Sequence, residues 1–296
     1  MRGILLAGGR GTRLLPATGV ISKQLLPIYD TPMIFHPLSL LMEAGVREFM
    51  LISTPESLDA FQRLLGDGSQ FGISIRFAPQ AEPRGIAEAL IIADEFTRGE
   101  PSTLVLGDNL FLGGATAKLM RKAFDRPSGA TVFATPVQNP QAFGIVSLRD
   151  DGTATSIEEK PKHPRSNYAV TGLYVYDGAA AAIARAVQPS ARGEIEITDV
   201  NRDYLNRDAL RVELIPDSDT WFDTGTPDSL LEAAQLVQQI ERQGARKPGC
   251  LEEIAFDAGW IGLDRLQTAA NRWAGSNYAR HLHALAQRAG EIRAAV

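Results

Sequence analysis

Through roughly the first 140 residues, short apolar runs alternate with stretches whose apolar positions recur every three or four residues. The runs read as strands at Gly3–Ala7, Glu48–Ser53, Ile73–Ala78, Thr103–Gly107 and Ala130–Thr135. The stretches between them read as helices at Pro37–Ala44, Ser57–Leu65, Ile86–Phe96 and Ala115–Phe124, with Gly45 and Gly66 placed as C-caps. This alternation predicts an α/β fold: a mixed, mainly parallel twisted sheet flanked by helices on both faces. Ligands of such sheets bind beyond the carboxyl ends of the strands.

From Phe143 the period changes. FGIVSL, the turn RDDG and TATSIEEK predict a hairpin, a small inserted β region. AVTGLYVY and LRVELI supply two more strands, with helices near Ala179–Val187 and Ile197–Leu205, and an amphipathic helix over Asp228–Glu241. Past Lys247-Pro248-Gly249 the pattern is helical only. The organisation expected is a main domain over 1–246, divided into parts of about 1–140 and about 141–246 where the period changes, followed by a C-terminal helical appendage over 247–296.

Composition narrows the function. A net charge of -5 argues against a nucleic-acid polymer as partner. A single cysteine, Cys250, excludes an internal disulfide and a cysteine-cluster metal site. With no signal-peptide pattern and no apolar run long enough for a membrane span, a cytoplasmic protein without a membrane partner is expected. His36, His163, His281 and His283 show no metal-ligand spacing, so none is a candidate for catalysis.

The first strand runs directly into Gly8, Gly9, Arg10, Gly11, Thr12 and Arg13. The spacing fits neither the dinucleotide fingerprint nor the P-loop. It does fit a loop whose main-chain N–H groups ring a polyphosphate, with Arg13 and the later Lys23 as cations. As a plain turn with solvated arginines it would need none of the SKQLLP segment that frames Lys23. VLGDN ends a strongly apolar strand and puts Asp108 at the ligand edge; WFDTGT offers Asp223 before another glycine and a helix. Each aspartate alone is equally readable as a helix cap or a turn residue. Two carboxylates beside a polyphosphate loop, however, are the donor set of Mg²⁺. In IEEKPK, Lys160 is either a solvated strand end or a phosphate ligand, with Glu159 free to accept hydrogen bonds from sugar hydroxyls.

Taken in order, LAGGRGTRL, SKQLLPIYD, LGDN, EEKPK, SNYAVTGLYVYD, RGEIEITDVN, WFDTGT and CLEEIAFDAGWI resemble the sugar-1-phosphate nucleotidyltransferases. SKQLLPIYD, SNYAVTGLY and RGEIEIT are most similar to the bacterial glucose-1-phosphate thymidylyltransferases, and the resemblance covers nearly the whole chain. It implies a Rossmann-like fold and the reaction of dTTP with glucose 1-phosphate to give dTDP-glucose and pyrophosphate. It also implies Mg²⁺ as cofactor, use in deoxysugar synthesis and a homotetramer. The implied mechanism is one in-line displacement at the α-phosphorus, needing no protein nucleophile. By the same resemblance Gly8, Gly9, Gly11 and Thr12 line the triphosphate loop, and Arg13 and Lys23 steady the departing pyrophosphate. Asp108 and Asp223 hold the metal. Lys160 draws in the sugar phosphate, Asn109, Gly144, Glu159 and Val170 line the sugar, and Leu6, Gln80 and Gly85 bracket the base.

Three segments depart from that pattern. The family's Pro-Asp-Gly-Leu-Ala-Gln is Pro83-Arg84-Gly85-Ile86-Ala87-Glu88 here, an exchange of charges that can compensate itself. The tyrosine before the sugar-pocket glycine is Phe143. A Gly-Arg-Gly that serves a separate feedback site is replaced within Pro216-Asp217-Ser218-Asp219-Thr220, so feedback by dTDP-rhamnose is expected to be weak or absent. Rival readings are the same chemistry on UTP or a modified hexose phosphate, a non-catalytic nucleotide-sugar-binding paralogue, and a dinucleotide-dependent dehydrogenase.

Overall fold

The computed structural model describes residues 1–9, 11–126, 128–244 and 246–294. In chain order its elements begin with β1 (Arg2–Ala7), β2 (Pro27–Ile28), β3 (Thr31–Pro32), α1 (Phe35–Glu43), β4 (Glu48–Ser53), α2 (Pro55–Leu65), β5 (Ser74–Pro79), α3 (Glu88–Ile92), α4 (Asp94–Thr97), β6 (Ser102–Leu106), β7 (Asn109–Leu112) and α5 (Ala115–Phe124). They continue with β8 (Ala130–Pro136), β9 (Gly144–Leu148), β10 (Ala154–Glu159), β11 (Tyr168–Tyr176), α6 (Ala180–Ala186), α7 (Ile197–Asn206), β12 (Leu210–Leu214), β13 (Thr220–Asp223), α8 (Pro227–Arg242), α9 (Leu251–Asp257), α10 (Leu263–Arg272) and α11 (Asn277–Ala294).

The main sheet runs β12-β8-β11-β6-β1-β4-β5, and β11 alone is antiparallel to its neighbours. The β9–β10 hairpin joins at the start of β11, through Tyr168 and Ala169. Alternation along each strand sorts side chains into two cores. Leu5, Ala7, Phe49, Leu51, Val105, Leu173 and Val175 face a layer containing α1, α2, α5 and α9 to α11. Ile4, Leu6, Ile52, Leu104, Tyr174 and Tyr176 face the other, containing α3, α6 and α7. Burial on both faces explains why the central strands carry continuous apolar runs. The C-terminal helices share the first core with α1, through Leu251, Ile254 and Leu282.

Two expectations are corrected. The helix over Ile86–Phe96 is two short helices that start later, α3 and α4 meeting at Ala93. Its start is tightened, with Ala89 and Leu90 N–H groups reaching back three residues to Ile86 and Ala87 (3.1 Å each) while the orphan Ala87 N–H donates to the Ile195 carbonyl (3.2 Å), and at the junction Phe96 N–H likewise reaches only to Ala93. The second correction is a ribbon that the hydrophobic pattern does not announce. Strands β7 and β13 pair antiparallel, Asn109 with Asp223 at one end and Leu112 with Thr220 at the other. Helix α8 anchors that ribbon. Thr226 and Ser229 cap it reciprocally, each side chain meeting the other's N–H at 3.2 Å, with Pro227 at the first helical position.

Candidate active site

Because β1, β4, β5 and β6 are parallel, the glycine loop, Gln80 and Asp108 all emerge at one edge of the sheet. Leu6 is the penultimate residue of β1, buried in the second core. Gly9 and Gly11 adopt positive φ, 91° and 58°, and Thr12 and Arg13 open a short 3₁₀ turn. Arg10 lies outside the described residues. Gln24, buried and absent from the sequence-level candidates, donates to the Gly8 carbonyl (3.2 Å) and accepts from the Ser22 hydroxyl (2.7 Å). It thereby ties the loop to the segment carrying Lys23.

The ribbon brings the two aspartates together. Thr224 donates to the Asp108 carbonyl from its N–H (3.1 Å) and its hydroxyl (2.8 Å). The Lys23 ammonium bonds the Asp108 carboxylate, both side chains being largely covered. Burial pushes the Asp108 carboxyl up, but Lys23, with help from the Asn109 amide, holds it below its ordinary value. Asp223 goes the other way: burial and the neighbouring Asp108 charge raise it, against Lys23 and Arg13. Arg13 packs over Gly225, where a methyl group would overlap its guanidinium. Two adjacent carboxylates of this kind, one raised by the charge of the other, fit an oxygen-seeking divalent cation.

A line of contacts leads from this centre to the inserted hairpin. Asn109 Nδ2 donates to Asp108 (3.1 Å), and its Oδ1 accepts from Gly172 N–H (2.9 Å) and Trp221 Nε1 (2.7 Å). Trp221 packs edge-on against Phe143 at 5.4 Å, so the ring without a hydroxyl is a packing partner. Next to it, Gly144 pairs with Glu159, whose carboxylate accepts from the Thr198 hydroxyl (2.6 Å) and Arg192 (3.4 Å). Val170 is half-buried at the break in register of β11. Lys160 is exposed, takes φ 42°, and approaches Glu159 at 3.8 Å. Thr198 and Arg192 belong to the RGEIEIT motif; the polar residues alternating with buried Ile195 and Ile197 were the available signal.

At the other end, Gln80 lies beside Gly8 and donates to Gly85 (3.3 Å) and Glu88 (2.8 Å). Arg84 and Glu88 stand 3.7 Å apart, so the exchanged charges face each other. This loop is zipped to the segment carrying Thr198: Ile195 N–H donates to the Arg84 carbonyl at 2.7 Å.

Outside the crevice, an open cavity of about 990 Å³ lies at the far end of the ribbon, lined in part by His36, Glu43, Lys118, Asp219 and Trp260. Here the Asp219 carboxylate accepts from Ala115 N–H (3.1 Å), Thr116 N–H (2.7 Å) and the Thr116 hydroxyl (2.8 Å), filling the N-terminus of α5. His281, for which spacing suggested no ligand partner, is brought within 4.8 Å of both Cys250 and Glu253 by the packing of α11 on α9. His281 hydrogen-bonds Glu253 at 2.8 Å, and burial pushes the Cys250 thiol far up. Among the described residues no helix is long and apolar enough to cross a membrane.

Residues 2–240 match the nucleotidyl transferase family. The chain is 49% identical over 282 residues to the glucose-1-phosphate thymidylyltransferase of Neisseria meningitidis serogroup A, covering 95% of this chain and 98% of that protein. It is also 49% identical over 288 residues to that of Mycolicibacterium smegmatis, with 97% and 100% covered. A solved Bacillus anthracis structure, of a protein assigned as a glucose-1-phosphate thymidylyltransferase and crystallised with a sucrose, superposes with TM-score 0.75 at 38% identity over 80% of this chain and 94% of that one. A UDP-glucose pyrophosphorylase complexed with UDP-glucose shares the fold, with TM-score 0.72 at 21% identity over 80% and 98%.

Proposed function

Since the chain belongs to the nucleotidyl transferase family, we propose that it makes dTDP-glucose and pyrophosphate from dTTP and glucose 1-phosphate. The observation that carries this reading is the meeting of Asp108 and Asp223 with Lys23 and Arg13, beside the glycine loop. That is a centre for two polyanions. The triphosphate lies along Gly8 to Thr12, its base beside Leu6, Gln80 and Gly85. The hexose lies against Gly144, Glu159 and Val170, with Lys160 drawing in its phosphate and Asn109 linking the two ends.

Asp108 and Asp223 would hold Mg²⁺, which would neutralise phosphate charge when bound. The protein's own part is alignment and electrostatics. Glu159, oriented by Thr198 and Arg192, fixes the sugar hydroxyls. Arg13 and Lys23 place positive charge where the pyrophosphate departs, so that a sugar-phosphate oxygen can displace it in line. The line from Asp108 through Asn109, Trp221 and Phe143 to Gly144 keeps both substrates in one rigid frame. The dehydrogenase reading finds no dinucleotide fingerprint in the loop, and the non-catalytic reading leaves this intact charge centre unexplained. Assembly as a homotetramer and a cytoplasmic setting belong to the same proposal.

The test is pyrophosphate release from dTTP, UTP and dCTP, each with glucose 1-phosphate, glucosamine 1-phosphate or galactose 1-phosphate. Turnover fastest with dTTP and glucose 1-phosphate is expected; a faster UTP reaction, or none with any pair, overturns the assignment.

A further inference from the structure

Gln80 directly follows β5 and is only 5% exposed. Its amide sits in unequal surroundings. Nε2 donates to the Glu88 carboxylate and to the Gly85 carbonyl, which engages both of its hydrogens. Oε1 is turned the opposite way, toward the glycine loop, where a methyl group on Gly8 would come within 2.6 Å of it. Flipping the amide would set its oxygen against two other oxygens that have only lone pairs to offer.

Glu88 is itself held in place. It occupies the first turn of α3, its side chain is 15% exposed, and Arg84 stands beside it. An acceptor at position 88 adds a second hold on Nε2 beside the Gly85 carbonyl; an apolar residue there would leave Gly85 alone to orient the amide.

The geometry points to Glu88 as a positioning residue that sets which pyrimidines the crevice admits. Through Gln80 it presents a fixed acceptor to the base. Thymine and uracil meet that acceptor with their N3–H. Cytosine brings an unprotonated N3, and two lone pairs face each other. The contact does not sense the 5-methyl group, so Glu88 separates dTTP from dCTP and not from dUTP. This rests on the placement of the base beside Gln80 in the proposed function.

The test is steady-state kinetics with dTTP, dUTP and dCTP, at saturating glucose 1-phosphate, for the unmodified protein and for Glu88→Ala, Glu88→Leu, Glu88→Gln and Gln80→Ala. The unmodified protein is expected to favour dTTP over dCTP by about 100-fold or more in kcat/KM. Glu88→Ala should narrow that ratio by about tenfold or more, mainly through KM, while leaving the dTTP to dUTP ratio in place. Glu88→Gln, whose amide oxygen can still accept from Nε2, should restore both the KM for dTTP and the ratio, and Glu88→Leu, which cannot accept, carries the test if Glu88→Ala does not fold. An unchanged ratio in Glu88→Ala or Glu88→Leu, with collapse in Gln80→Ala, overturns the positioning role and leaves the base site standing. An unchanged ratio in Gln80→Ala as well overturns both.

Discussion

The two ends of the β7–β13 ribbon make opposite use of the same residue type. At one end Asp108 and Asp223 lie against each other and against Lys23 and Arg13. At the other, Asp219 is saturated by the N–H and hydroxyl donors that open α5, and is itself buried. The first end combines carboxylates with cations that a polyphosphate can share. The second has satisfied its helix N-terminus, ordinarily a place for an anion, with the protein's own carboxylate. Role is therefore set by partners. An aspartate surrounded by fixed donors stabilises the fold; a pair left facing each other calls for an outside cation.

The largest effect should come from the crevice. Arg13→Ala is expected to lower turnover by about 10²–10³-fold, with Tm nearly unchanged, because its side chain is exposed. Asp108→Asn is a less clean probe, since it also leaves the largely covered Lys23 without its partner. Near-normal turnover of folded Arg13→Ala would erase the contrast between the two ends.

At the far end the loss should be in stability. Asp219→Ala removes three contacts to the start of α5 and strands buried Thr116, at a cost of about 2–4 kcal/mol by denaturant unfolding, with turnover retained. The segment Pro216–Thr220 that holds this carboxylate replaces the Gly-Arg-Gly of the resembling enzymes, so titration with dTDP-rhamnose at saturating substrates should leave the unmodified protein weakly inhibited or uninhibited. Strong non-competitive inhibition would show that end to be a working anion site.

A pH-dependent effect, small near neutral pH, separates the ends further. His36 lines the far cavity, and burial, aided by the Lys247 charge, lowers its pKa to about 3. The unfolded chain gains a proton there below its ordinary value near 6.5, while the folded chain stays neutral. Unfolding is thus favoured as pH falls from 6.5 toward 3, by up to about 1.4 kcal/mol per pH unit. Replacing His36 with Gln should flatten that acid slope in chemical denaturation; an unchanged slope would assign it to carboxylates held below their ordinary values, Asp108 and Glu253 among them.

Much of the fold was legible because buried parallel strands must be apolar throughout and amphipathic helices must cover them. That rule located β1, β4, β5, β6 and β8 to within a residue or so, and the glycine loop was legible as backbone made for close approach. It could not locate β7 and β13, whose four-residue strands carry too little pattern, nor the tightened start of α3 and its break from α4 at Ala93.

The candidate chemistry divides in the same way. Asp108 and Asp223 were each nameable from their motifs, yet no spacing says that Asn109 pairs with Asp223, or that Asp219 caps α5. The His281–Glu253 contact likewise arises only once α11 packs on α9, and the Arg84–Glu88–Gln80 relay, though local in sequence, takes its orientation from the fold of its loop. The sequence alone determined the layered architecture, the ligand edge and the types of side chain available there, because periodicity and residue chemistry are local. Tertiary structure decided which carboxylates meet each other and which meet donors. A charge's behaviour depends on neighbours within a few ångströms, whatever their distance along the chain.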